Sequence, residues 1–177
     1  KYGGIAKAYG IDFFYLRKKS LSGPNVPDHL VLRDALIQAE KYFKTKFNYI
    51  VSLPPTSPLR SRSIVEKSIR TIVKEKFDSL WTISKIDLKY HPDKQLVIEK
   101  GKLKYFTSKG KNIHYRQQLN TTFYRNGCAY VVKRKTLIEN KTLLTKNSGC
   151  VIVKSPQISI DNKYDLEKAR KIFSLST

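Results

Sequence analysis

An apolar run from Phe47 to Leu53 leads through Pro54-Pro55-Thr56-Ser57-Pro58-Leu59-Arg60 into Ser63-Ile64-Val65-Glu66, a Ser-x-x-Glu pattern that opens a helix. No other stretch restricts the fold as much. A buried strand has to end, turn on a proline-framed loop and continue as a helix. In open α/β sheets, ligands bind beyond the carboxyl ends of strands, where such a loop sits. Pro54, Pro55 and Pro58 fix φ and reduce the entropy lost when the loop is ordered. Thr56, Ser57 and Arg60 supply two hydroxyls and a guanidinium. Read alone, the loop suits either a structural turn, which favours these same residues, or the wall of a binding site.

The flanking sequence supplies the rest of an α/β unit. Ile5 to Gly10 reads as the end of a helix closed by a C′ glycine. Ile11 to Leu16 reads as a short apolar strand with Arg17 at its end, and Ser20 to Asp28 as a loop. From about His29 to Lys44, Leu32, Leu36, Ala39 and Phe43 recur at helical spacing. A helix over about Ile64–Lys76 and a buried strand over Ser79–Ile83 follow the proline loop. This β-α-β-α-β order predicts right-handed crossovers and a mostly parallel sheet in one domain, residues 1–177. From residue 86 to 118 the pattern breaks. Short strands at Gln95–Glu99 and Lys102–Phe106 flank Lys100-Gly101, which predicts a hairpin within a β-rich flap or oligomer contact. Strand character returns at Cys128–Val132 and at Cys150–Val153. A short helix is expected from Arg134 and a last one from about Asn162 to Ser174.

Composition narrows the function classes. At 177 residues and 40% hydrophobic content the chain can bury a core. No run reaches the length of a membrane span, so no membrane partner is expected. Two cysteines, Cys128 and Cys150, outside any C-x-x-C pair, point to free buried thiols, a reducing cytoplasmic setting and no zinc site. The net charge of +21 fits a lysine-filled surface or an anionic partner: nucleic acid, anionic lipid or a phosphate-bearing substrate. The lysines are spread along the chain rather than blocked together, which favours a phosphate-bearing substrate over nucleic acid. The sequence has no Met, even at position 1, so its natural start is expected upstream of Lys1.

Four polar clusters fall at strand ends: Arg17 with the Ser20–Asp28 loop, the proline loop, Arg116-Gln117-Gln118 with Asn126-Gly127, and Ser159 to Leu166. Arg17 suits a phosphate grip or a surface cation. Asp28 suits a helix N-cap or a ligand contact. Asp161 and Asp165 suit helix caps, or a Mg²⁺ site, which takes one or two carboxylates alongside water and phosphate.

Taken in order, these clusters resemble the acylneuraminate cytidylyltransferase family, the CMP-nonulosonic acid synthetases. Arg17 with Leu21-Ser22 is similar to the family's R-P-x-x-L-[AS] stretch. Leu53 to Arg60 resembles L-Q-P-T-S-P-L-R. Arg116-Gln117-Gln118 resembles R-Q-Q, Asn126 to Tyr130 resembles N-G-A-I-Y, and Ser159 to Leu166 resembles D-I-D-x-x-x-D-L. The resemblance implies a Rossmann-like sheet of the nucleotide-diphosphosugar transferase type, with the 86–118 insertion forming a homodimer contact. It implies transfer of CMP from CTP to a nine-carbon sugar acid with Mg²⁺ (or Mn²⁺), pyrophosphate leaving. It also implies that Arg17 contacts the nucleotide, that Arg116, Gln117 and Asn126 contact the sugar acid, that Thr56, Ser57 and Arg60 shape the pocket, and that Asp161 holds the metal, with Asp161 and Arg116 acting in catalysis.

The chain departs from the family in three places. Nothing matches the family's glycine- and basic-rich phosphate-binding loop, which is expected to lie upstream with the first strand. Without that strand, Ile11–Leu16 and Asn48–Leu53 are expected to flank a gap with unpaired, aggregation-prone edges. Pro54 stands where the family has Gln, and Ser159 where it has Asp, leaving one metal carboxylate. These departures raise a second expectation, a catalytically impaired relative. The net charge alone supports a third, a basic nucleic-acid-binding module.

Overall fold

In the computed structural model, which describes residues 2–140 and 142–174, the proline loop leaves β1 (Tyr49–Ser52) and enters α3 (Arg62–Lys74). The sheet is completed by β2 (Ser79–Lys85), β5 (Phe123–Lys133) and β6 (Ser148–Ile152), in the order β1-β5-β2-β6. β1, β2 and β6 run in one direction, as the β-α-β pattern predicts. β5 runs against them between β1 and β2, so only β2 and β6 form a parallel pair. The reason is the connection. After β2 the chain makes no helical crossover but returns at the same end of the sheet, where Lys85 pairs with Phe123 and the Ile86 amide donates to the Thr122 carbonyl at 3.0 Å. A return of that kind yields an antiparallel neighbour.

Successive β5 residues serve opposite faces. Val131 packs with Ile72 of α3, Leu80 and Val151, bordered by Phe77. Val132 packs with Leu36 of α2 (Asp28–Phe43) and Leu137 of α4 (Arg134–Glu139). Helices therefore cover both faces. The excursion after β2 carries the expected hairpin, β3 (Leu96–Glu99) with β4 (Lys102–Tyr105), as a separate two-stranded sheet. Lys100 and Gly101 turn it with positive φ. α1 (Tyr2–Ala8) is closed by Gly10 at φ +73°, as expected, and α5 (Lys163–Ser174) is opened by Asn162, whose Oδ1 accepts from the Asp165 amide at 3.0 Å.

Four expectations are corrected. Of the two free thiols Cys128 is buried, but Cys150 is exposed. Ile11–Leu16 is not a strand. No strand among the described residues pairs with it, and Phe14 instead stacks on Tyr42 and meets Phe43 edge-on, each at 5.5 Å, at the end of α2. Among the described residues β1 therefore ends the sheet with β5 as its only partner, and no second strand flanks a gap. α3 opens at Ser61, not Ser63. The Ser61 hydroxyl accepts from the Ile64 amide at 3.3 Å, while Glu66 is held by Arg62 at 2.7 Å and Arg70 at 2.8 Å and caps nothing. Asp28 is the first residue of α2 rather than its N-cap. Pro27 holds that position with φ −61°, and Asp28 is exposed.

α2 is tied to α4 by a buried carboxylate. Glu40 accepts from Arg134 Nε at 2.6 Å and Nη2 at 3.1 Å, from Lys46 at 3.0 Å and from the Phe47 amide at 3.3 Å. The Arg134 bond leads in lowering its pKa to about 2, helped by Lys46 and Phe47 against the cost of burial. A depressed carboxyl adds stability above its unfolded pKa, about 4.5, and loses it as pH falls toward 2. Acid titration of thermal stability is expected to show a decline between about pH 5 and 2 that is shallower in Glu40→Gln. Superimposable slopes for the two proteins would contradict this.

Candidate functional site at the carboxyl end of the sheet

The loop after β1 is pinned from three sides. Within it, the Ser57 amide donates to the Pro54 carbonyl at 3.2 Å. The Arg60 guanidinium folds back, with Nε on the Ser57 carbonyl at 3.0 Å and Nη2 on the Pro54 carbonyl. From the sheet side, the Ser57 hydroxyl, 2% exposed, donates to the Asn126 carbonyl at 3.2 Å. From the chain entering α5, the Ile160 amide donates to the Thr56 carbonyl at 2.8 Å. Proline-rich sequence gives the loop its stiffness, and these bonds give it its place.

Asn126 sits in a bulge of β5. Trp81 pairs with Tyr130, but Ile83, two residues on, pairs with Arg125, five residues away, so β5 carries three more residues than β2 across this step. Thr82 fills the bulge: its hydroxyl donates to the Ala129 carbonyl at 3.0 Å and accepts from the Ala129 amide at 2.9 Å. Asn126, 4% exposed, donates to the Ser84 hydroxyl at 2.9 Å and accepts from the Cys128 amide at 3.1 Å. Gly127 takes φ +71°, and a Cβ there would lie 2.3 Å from Ser57 Oγ. The bulge and the loop thus fit only because residue 127 has no side chain. Beneath them the Cys128 thiol donates to Gln157 at 2.9 Å. Burial raises its pKa, opposed by the charge of Arg60, whose own pKa burial lowers.

Together they frame a hollow of about 340 Å³ lined by Asp28, Pro54, Thr56, Ser57, Arg125, Asn126, Gly127, Tyr130 and Ser159. A second hollow of about 200 Å³ adjoins it, sharing Asp28, Arg125 and Tyr130 and adding His29, Trp81, Thr142 and Leu143. Arg125 lies 5.3 Å over the Trp81 ring, and Tyr130 meets that ring edge-on at 5.4 Å. Burial raises the Tyr130 hydroxyl pKa, opposed by the Arg125 charge and a hydrogen bond with the Gly127 backbone. The hollows are dimensioned for a small ligand and mix apolar walls with a few polar groups.

The structure brings Thr56, Ser57 and Asn126 together at this hollow and places Ser159 beside them. Arg60 is turned onto the loop's own carbonyls. Arg116 and Gln117 lie in a short 3₁₀ turn of the excursion and line neither hollow. There Gln118 accepts from the His114 and Tyr115 amides at 2.8 and 2.9 Å. The carboxyl of Asp87, which the Lys89 amide holds below its ordinary range, is lowered further by the charges of Lys89 and Arg116. Arg17 is exposed on the segment before α2, outside both hollows. Asp161 is exposed, and its amide donates to Asp165 at 3.2 Å. Among the described residues no three His, Cys, Asp or Glu side chains gather to hold a metal. The single exposed carboxylate of Asp161 is of a type that fits Mg²⁺, which takes one or two carboxylates alongside water and phosphate oxygens. Sequence reading missed Arg125, Trp81 and Tyr130 as lining residues. The available signals were the position of Arg125 immediately before Asn126-Gly127 and the aromatic at the end of that motif.

No family model matches the chain. It is 30% identical over 165 residues to the post-translational flagellin modification protein B of Campylobacter coli, covering 92% of this chain and 68% of that protein. It is 30% identical over 172 residues to the CMP-N,N'-diacetyllegionaminic acid synthase of Campylobacter jejuni subsp. jejuni serotype O:2, covering 97% and 72%. Among solved structures, it superposes with a TM-score of 0.53 on CMP:2-keto-3-deoxy-manno-octonic acid synthetase complexed with CTP, at 13% identity over 82% of this chain and 68% of that one. It also superposes, with a TM-score of 0.55, on a Bacillus anthracis protein assigned as a glucose-1-phosphate thymidylyltransferase, at 12% identity over 96% and 68%. At these identities the structural likeness is one of fold: a Rossmann-like α/β nucleotidyltransferase sheet. The sequence likeness goes further, and the chain belongs to the acylneuraminate cytidylyltransferase family, the CMP-nonulosonic acid synthetases.

Proposed function

We propose that this chain transfers CMP from CTP to a nonulosonic sugar acid, releasing pyrophosphate, in the cytoplasm. The observation that carries this reading is the hollow framed by the pinned proline loop and the Asn126–Gly127 bulge. A hydroxyl of the acid attacks the α-phosphorus of CTP. A new P–O bond forms, the bond to the bridging oxygen of the β-phosphate breaks, and the hydroxyl proton is lost. Thr56, Ser159 and the bulge face the acid, and Ser57 and Arg60 hold the wall in place; Arg116 and Gln117 are assigned to the acid on the family pattern, although they line neither hollow. Arg17 serves the nucleotide. Mg²⁺ (or Mn²⁺) held by Asp161 with phosphate oxygens would offset the developing charge on the phosphates.

In this reading the chain works as a homodimer through the excursion, residues 86–118. Leu96, Ile98, Leu103 and Tyr105 share one face of the hairpin and are 48, 75, 66 and 49% exposed, an apolar stripe that a second subunit would cover. Among the described residues no helix is long and apolar enough to cross a membrane.

The test is pyrophosphate release from CTP and Mg²⁺ with a panel of nonulosonic acids, using this chain and a version extended upstream of Lys1. Release with at least one acid is expected. No release with any acid, in either version, would overturn the proposal. One observation favours the second reading, an impaired relative: two of the three departures from the family pattern, Pro54 and Ser159, line the hollow itself. Pro54→Gln with Ser159→Asp raises the rate if they impair the site, and an unchanged rate rejects that reading.

A further inference from the structure

Among the described residues, Arg125 is the only Lys or Arg lining the two hollows, and it lines both. Its side chain lies over the Trp81 ring, which fixes a guanidinium without using its N–H groups. Among the described residues none accepts a hydrogen bond from it, and no carboxylate stands within ion-pair distance, although Asp28 lines the same hollows. Arg60, by contrast, is occupied by its own loop. Trp81 is itself anchored, its indole N–H donating to the Leu143 carbonyl at 3.2 Å. A rigid platform therefore presents an uncommitted guanidinium fork to hollows whose other lining is the Asp28 carboxylate, the His29 ring, hydroxyls, an amide and apolar groups. That is a receptor for a planar anion.

We propose that Arg125, held on Trp81, binds the carboxylate of the acid substrate and so selects a sugar acid over a neutral sugar. This rests on the function proposed above. The phosphates of CTP share the anionic chemistry, but a planar carboxylate matches the fork and the scale of the smaller hollow better than a triphosphate.

The test is calorimetric binding of CTP, of N,N'-diacetyllegionaminic acid and of that acid's methyl ester to the chain and to Arg125→Ala. A second variant, Trp81→Leu, removes the platform and keeps the charge. Circular dichroism checks that each variant is folded. Arg125→Ala is expected to weaken acid binding about 10- to 100-fold, the range for a charge-assisted hydrogen-bonded pair. CTP affinity should be unchanged, and the ester should bind weakly and equally to chain and variant. Trp81→Leu should give an intermediate loss. Unchanged acid affinity in Arg125→Ala would overturn the proposal, showing Arg125 engaged by Asp28 in solution. Loss of CTP affinity in place of acid affinity would overturn it in favour of a phosphate contact. The two proposals fail separately. Pyrophosphate release with an Arg125-independent KM for the acid rejects this one. Carboxylate-dependent binding without pyrophosphate release rejects the function.

Discussion

Gly127→Val is expected to lower the melting temperature by about 4–20 °C and to detach the proline loop from the sheet. Two costs combine. Residue 127 has φ +71°, in the left-handed region, where a side chain costs about 1–2 kcal/mol. A Cβ would also lie 2.3 Å from Ser57 Oγ and 3.4 Å from Ser57 Cβ. Ser57 is 2% exposed and its hydroxyl is tied to the Asn126 carbonyl, so the overlap adds an overpacking cost of about 1–3 kcal/mol. The sum, about 2–5 kcal/mol, corresponds to the stated shift at roughly 2–4 °C per kcal/mol for a domain of this size. Gly101 is the control. It has φ +74°, but a Cβ added there would meet nothing within 4 Å, so Gly101→Ala carries the conformational cost alone. A Ser57→Gly background separates the terms further: it should recover the packing part of the Gly127→Val loss and leave the conformational part. Thermal unfolding of the five proteins (wild type, the three single variants and the double variant) decides the matter. A Gly127→Val protein within a degree or two of wild type would refute the account.

The same pair shows what sequence reading reaches and where it stops. The strand, the proline loop, the following helix and the hairpin at Lys100-Gly101 are legible because apolar periodicity and turn chemistry are local signals. Ser57 is legible as part of a site motif, but its role is not. Whether a serine faces a ligand or a buried carbonyl depends on Asn126, 69 residues away. The direction of β5 is hidden for a similar reason: it follows from where the excursion returns to the sheet, and residues 86–122 give no periodic signal of that. Ile11–Leu16 has the composition of a strand, yet composition supplies no partner, and its aromatics find the end of α2 instead. Arg125 escapes notice because a bulge breaks the alternation by which one assigns faces along a strand.

Asn126→Asp tests the bulge from the other side and is expected to be destabilising by about 2–4 kcal/mol at neutral pH, the cost of a buried polar group losing its partner and gaining charge. The substitution keeps the shape and the acceptor for the Cys128 amide but removes a donor. The Ser84 hydroxyl gives its one hydrogen to the Val153 carbonyl at 3.0 Å, so it needs the hydrogen that Asn126 supplies at 2.9 Å. A carboxylate there faces a lone pair, or takes the Ser84 hydrogen and leaves the Val153 carbonyl unsatisfied. Protonation repairs this, because a carboxylic acid restores the donor. Burial therefore raises the folded-state pKa of the introduced group above its unfolded value of about 3.9. Between those two pKa values the folded state binds the extra proton, so the variant loses stability as pH rises. The stability gap to wild type should be widest at about pH 7–8 and narrow toward about pH 4, with both proteins measured at each pH so that the acid loss at Glu40 cancels. A gap that is constant, or that widens in acid, would mean the carboxylate is stabilised in place. Arg125, the adjacent cation, would then be turned inward rather than toward the hollow.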